Sequence, residues 1–317
     1  MHRRVLLLVG VATLAIGMVW ATPASASSAS SATGLGPGQT LGKAQLVHQS
    51  KPANGRTDLR VGDSSTSAIT DDPVLDRALA GVPQNVNAEF PRNSASSTKS
   101  SSTGNATVQQ GTAKSVKGLN AFDLGKTHGF GVEPPDQGLC ANDSFIVEMT
   151  NLNIKVFNSD LSAASGPIVL ETFFGDPIDG PQRNGSFLVE GDPRCVWDPG
   201  TQRWFLSQLV IDIVRGTSVF QVAASTSADP MGTFNIYTFD NTDRSNPGCG
   251  RTKSNPGGCL GDQPTMGVDA NALFIDTNEF GIFDNEFNGA VIYTIDKKAL
   301  AAGANSANVV ADFVGLT

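Results

Sequence analysis

GDPRCVWDPGTQRWFLSQ (residues 191–208) and GDQPTMGVDANALFID (residues 261–276) decide the fold. Each opens on Gly-Asp, runs through a strand-like segment to a second aspartate, Asp198 or Asp269, and returns on an apolar segment. Turn-forming residues between two strand-like runs are the signature of a β-hairpin. Working outward, a third version precedes them in PPDQGLCANDSFIVEMTNLNIKVFNSDL, which opens at Asp136.

Every hairpin is followed by a third strand rich in Val and Ile, a polar turn and a fourth strand. These are PIVLETFF after the first, SVFQVAASTSADPMGTFNIYTF after the second, and GAVIYTIDKKALAAG with NVVADF after the third. A repeated unit of four antiparallel strands has the size of a propeller blade. The expected fold is therefore all-β, a β-propeller with three blades visible over residues 119–317. Because closed propellers need about four blades or more, the expectation is of a propeller incomplete at the C-terminus. A β-sandwich is the alternative, since similarly spaced hairpins also build sandwiches.

Upstream of the repeats the texture differs. Residues 1–26 combine Arg3 and Arg4, an apolar run from Val5 to Val19 and an Ala24-Ser25-Ala26 site, which reads as a secretory signal peptide. Residues 27–118 are rich in Ser, Ala and Thr and read as a linker or disordered region. Within it TDDPVLDRALAGVP suggests a short helix near 71–80. The expected chain is secreted, extracellular or at the cell surface, with no membrane span after signal cleavage.

The formal charge is -8, without a cluster of Lys and Arg to face phosphates, so nucleic acid is excluded as a partner. Four cysteines, an even number in an exported chain, point to disulfides with three possible pairings. Cys249 and Cys259 flank a Gly, Pro and Asn-rich loop and form the first expected bridge; Cys140 and Cys195 form the second.

The quoted segments resemble a widespread family of large secreted bacterial proteins, propeller-like and mostly without assigned activity. The resemblance spans Gly131 to Gly303, with the PPD, GDP, RW, STSADP and GDQP motifs carrying it; the family's usual Tyr between Asp and Pro is Gln263 here. A second likeness joins STSADPMGTF (residues 225–234) to the strand-turn-strand signature of five-bladed glycoside hydrolases and, loosely, to the Asp-box of sialidases. Both likenesses imply propeller architecture.

Candidate chemistry follows from this placement. Asp136, Asp192 and Asp262 begin innermost strands and could converge on a central funnel, where a glycosidase would hold paired carboxylates. Glu148, Glu190 and Glu279 are further candidates. A recurring Asp also suits a repeated structural task in a turn. Nucleophilic catalysis would depend on His128, because His48 falls in the expected linker. DNEFNG, with Asp284, Glu286 and Asn288, approaches an oxygen-rich calcium loop, making calcium a possible cofactor. Trp197, Trp204, Tyr237 and Tyr293 fall on strands, and Trp204 reads as core rather than as a stacking platform. The expected function is a non-enzymatic module that binds a glycan or protein ligand; the alternative is an exo-acting glycoside hydrolase.

Overall fold

A computed structural model of the chain describes residues 39–52, 114–129 and 135–315, apart from 178, 245–248, 250–252, 254 and 285. The signal peptide and the helix expected near 71–80 lie outside the described residues.

The chain is all-β. Strand β1 (Gln39–Ser50) and helix α1 (Ala121–His128) precede the first unit: β2 (Gly138–Ala141), β3 (Phe145–Thr150), β4 (Asn153–Asn158) and the short β5 (Ile168–Val169). A five-residue helix α2 (Leu170–Phe174) and β6 (Gly180–Pro181) lead to the second unit, β7 (Phe187–Asp198), β8 (Arg203–Asp212), β9 (Thr217–Ser225) and β10 (Phe234–Asp240). The third unit is β11 (Cys259–Val268), β12 (Ala272–Gly281), β13 (Phe287–Asp296), helix α3 (Lys297–Ala301) and β14 (Ser306–Gly315).

Within each unit, strands neighbour one another in chain order and pair antiparallel, giving three four-stranded meanders. This is the connectivity of propeller blades, not the Greek-key crossing of a sandwich. The first strands of the units approach one another: Arg194 of β7 reaches the Asp136 and Gln137 carbonyls ahead of β2 and the Pro264 carbonyl of β11.

β1 corrects the expectation of a linker over the whole of residues 27–118. It pairs with β10 on one side and β14 on the other, joining the outer edges of the second and third units into one ten-stranded sheet. Its first half, Gln39 to Gln45, pairs with β14 and its second half, Gln45 to Ser50, with β10, and Ala44 is fully buried. QTLGKAQLVHQS carries a glycine and little β-propensity of its own; the two waiting edges, remote in sequence, make it a strand.

The near-continuous apolar run of β8 is explained by burial on both faces. Trp204 and Leu206 point toward the first unit, packing with Val147, Met149, Ile154, Phe173 and Phe174. Phe205 points the other way, into a core shared with Phe220, Tyr237, Leu273, Ile275, Tyr293 and Ile295. Trp204 also donates its indole N–H to the Ala228 carbonyl at 2.9 Å, so its one polar atom is matched.

The second aspartate of each quoted stretch is a turn residue. Asp198 accepts the N–H groups of Gly200 and Thr201, and Asp269 accepts those of Asn271 and Ala272. Asn142 takes the same position in the first unit, accepting from Ser144 and Phe145. Three hairpins thus use one Asx-turn device.

Candidate functional site: two groups of carboxylates

The opening aspartates come together at the start of the innermost strands. Asp136 receives the side-chain amide of Asn151 at 2.8 Å, and the same Asn151 side chain accepts the Asp192 backbone N–H at 2.8 Å. Asp192 in turn accepts the backbone N–H of Gln263 at 2.9 Å. One relay of hydrogen bonds therefore runs through all three units. Gly191 makes room for it, because a Cβ there would stand 3.0 Å from the Asn151 oxygen.

The third unit is offset by one residue. Asp136, Asp192 and Gln263 share left-handed backbone, with φ of 40°, 51° and 47°. The sheet register breaks between Gly191 and Arg194 in β7 and between Asp262 and Thr265 in β11. Gln263-Pro264 therefore occupies the bulge position of Asp192-Pro193, and Asp262 stands one place earlier, opposite Asn278.

Asp262 nevertheless reaches the Asp192 carboxyl. Burial, then the Asp262 charge and a carboxyl–carboxyl hydrogen bond, push the Asp192 carboxyl up to about 6. Asp136 is raised as well, mainly by burial, with Asp192 adding to it and Asn151 and Arg194 opposing it. All three carboxylates are half-buried, beside the exposed Gln137 and Gln263.

A second acidic group lies where the apolar stripe of β8 turns polar. After Trp204 and Leu206 the next residue on that face is Gln208, which is fully buried. Its amide nitrogen lies 3.0 Å from Asp176, 3.0 Å from Glu190 and 2.7 Å from the Gln221 oxygen, while Gln221 donates to Asp176 at 2.9 Å. Glu171 of α2 faces His128 of α1, its oxygens 3.1 and 3.2 Å from Nε2. Burial pushes Asp176 up to about 6 and Asp179 up to about 7, and Glu190 well above the usual carboxylate range. The Glu171 charge raises all three further, and Asp179 and Asp176 raise Glu190.

The other candidates are dispersed. Glu148 accepts the Leu119 N–H at 2.8 Å. Glu279 receives the Asn288 amide at 2.8 Å, and burial pushes its carboxyl up to about 8. Asn288 is thus engaged by Glu279 and by the Cys249 sulfur at 2.9 Å, while Asp284 accepts the Glu286 N–H at the hairpin tip. His48 lies on β1, against Gly175, where a Cβ would stand 2.5 Å from its ring. His128 is held by Glu171 and by the Thr127 hydroxyl at 2.7 Å.

Both cysteine pairs are bridged. Cys140–Cys195 ties β2 to β7, and Cys249–Cys259 closes the loop before β11. Cys249, Cys259 and Glu279 lie close enough for an ion among the described residues, but both sulfurs are consumed in the disulfide. Trp204, Tyr237 and Tyr293 are buried, so none offers a stacking face. Among the described residues no helix is long and apolar enough to cross a membrane.

Asp176, Asp179, Glu171 and Asn151 escape the sequence reading because they occupy a loop, a short helix and a hairpin turn, where no alternation marks an inward position. Gln208 carries a legible signal: a polar residue at an inward position of an otherwise apolar strand.

No family model matches the chain, and no curated protein matches it. Two solved structures are similar in part. An exo-β-1,3-galactanase from Clostridium thermocellum is 11% identical with a TM-score of 0.29, the match covering 54% of this chain and 43% of that one. A GH43 endo-arabinanase from Bacillus licheniformis is 12% identical with a TM-score of 0.30, covering 55% of this chain and 58% of that one. The chain spans about half the length of these glycan-acting proteins, and a likeness of this extent carries no argument about its chemistry.

Proposed function

We propose that this chain is an exported, propeller-like binding module whose mouth, formed by Asp136, Asp192 and Asp262, takes the hydroxyl groups of a glycan. The observation that carries the reading is the convergence of three half-buried carboxylates beside the exposed side chains of Gln137 and Gln263. Carboxylate oxygens accept hydrogen bonds, and hydroxyls of a polyol supply them. Trp204, Tyr237 and Tyr293 are buried and Trp197 is half-buried, so hydrogen bonding to hydroxyls leads the recognition.

The same geometry disfavours the hydrolase alternative. The Asp136 carboxyl is engaged by the Asn151 amide, whereas a glycosidase needs one carboxylate free to activate water or attack the sugar. One Asp192 oxygen also holds the Gln263 backbone, a structural task. Export is supported by the N-terminal 26 residues and by two disulfides, which persist in oxidising compartments.

A glycan array and a broad hydrolysis panel, run on the full chain and on Asp262→Asn, test this. Binding that weakens at least tenfold in the variant, with no hydrolysis, is expected. No glycan bound across the array, or hydrolysis that Asp262→Asn abolishes at unchanged melting temperature, overturns it.

A further inference from the structure

The acidic group around Gln208 contains none of the three opening aspartates, and it is short of hydrogen-bond donors. Asp179 Oδ1, Glu190 Oε1 and Gln208 Oε1 are all buried without a partner. Glu190 is 5% exposed and Gln208 is 0% exposed. The Gln208 amide nitrogen carries two hydrogens yet faces three acceptors, on Asp176, Glu190 and Gln221. Glu171 adds a fourth carboxylate, and its hydrogen-bonding partner is His128. Unpartnered buried oxygens, all acceptors and crowded with like charge, are rare in folded proteins and call for an occupant.

We propose that Asp176, Asp179, Glu190 and Gln208, with Glu171 behind them, form a binding site for a hard divalent cation, calcium. Every available donor atom is oxygen, carboxylate or amide, which matches calcium and not zinc, whose protein ligands are chiefly nitrogen and sulfur. Calcium accepts six to eight oxygens in flexible geometry, and the four carboxylates and the Gln208 amide can supply five or more. Their oxygens do not meet at one point as they stand among the described residues, so the side chains draw inward when the ion enters. The positions fit a clamp: Glu171, Asp176 and Asp179 come from α2 and the loop after it, while Glu190 and Gln208 come from β7 and β8. The ion would tie the first unit's helix to the second unit's sheet.

The test uses the full chain freed of metal by dialysis against EDTA. Titration with calcium chloride, followed by calorimetry and by melting temperature, should give saturable heat and a rise of several degrees once calcium greatly exceeds its dissociation constant. Magnesium at the same concentration should give less, and sodium chloride at matched ionic strength nothing. Asp179→Asn, at a half-buried position, should weaken calcium binding at least tenfold, and Glu190→Gln likewise. Glu286→Ala, at the β12–β13 hairpin tip, should leave it unchanged. Should Glu190→Gln fail to fold, Asp179→Asn decides alone. No heat and no melting shift in the unaltered chain, a shift reproduced by sodium chloride, full calcium binding in Asp179→Asn, or binding lost in Glu286→Ala would each overturn the proposal.

Discussion

The Asp192 carboxylate accepts the Gln263 backbone N–H at 2.9 Å, so a side chain of the second unit holds the bulge of the third. Gln263 has left-handed backbone at φ 47°, a conformation that a non-glycine residue keeps only when its surroundings enforce it.

Replacing Asp192 separates its two roles. Asp192→Asn keeps an oxygen for the Gln263 N–H and removes the charge that opposes Asp136 and Asp262, so stability at pH 8 should stay level or rise. Asp192→Ala removes the acceptor of the Gln263 N–H at an exposed position and should cost about 0.5–1.5 kcal/mol. Urea unfolding at pH 8 measures both. Equal destabilisation by the two variants would show that the charge itself holds the units together.

Stability should fall as pH rises. Asp176 and Asp192 are pushed up to about 6, Asp179 to about 7 and Glu279 to about 8, in each case chiefly by burial. Between the unfolded value near 4 and these folded values, the native state binds more protons than the unfolded chain, and the stabilisation is lost as pH climbs through them. Asp198, Asp212 and Asp269 are shifted the other way, so their contribution is lost as pH drops below about 4. Melting in EDTA should therefore be highest near pH 5 and lower by at least about 3 °C at pH 8. A melting temperature that rises from pH 5 to pH 8 contradicts the burial of these carboxyls.

The two disulfides should differ in worth. Cys140–Cys195 spans 55 residues and joins two units, while Cys249–Cys259 spans 10 within one loop. Loop-closure entropy assigns about 4 kcal/mol to the first and about 3 kcal/mol to the second. Paired Cys→Ser variants, unfolded in urea, should lose stability in that order; the reverse order would mean that the short loop carries interactions beyond its bridge.

The sequence makes the units legible because their signals are local. Alternation, the Asx turns at Asn142, Asp198 and Asp269, and the repeated opening aspartates all lie within a hairpin's length. The β1 strand is not legible, since its partners Thr238 and Val310 are supplied by distant edges. Nor is the Asp262 offset, which depends on where the ladder breaks. The Gln208 group draws on α2, the loop after it, β7, β8 and β9, and only the packing of the first unit on the second assembles it.

Lys297 supplies the last test. On α3, and 2% exposed, it pairs with Asp198 at 2.8 Å and donates to the Asp269 carbonyl, joining the hairpin turns of the second and third units. A buried ion pair contributes little over an apolar replacement of both partners, but loss of one partner strands the other. Burial alone would raise the Asp198 carboxyl; hydrogen bonds from Lys297 and Thr201 more than offset it and hold it below the usual range. Lys297→Met should therefore cost about 3–5 kcal/mol, and adding Asp198→Asn should recover part of that loss, because the amide carries no stranded charge. Urea unfolding of the single and double variants gives the coupling directly. If the double variant is less stable than Lys297→Met by the full cost of Asp198→Asn alone, the two side chains act independently and the link between the turns is carried by the backbone.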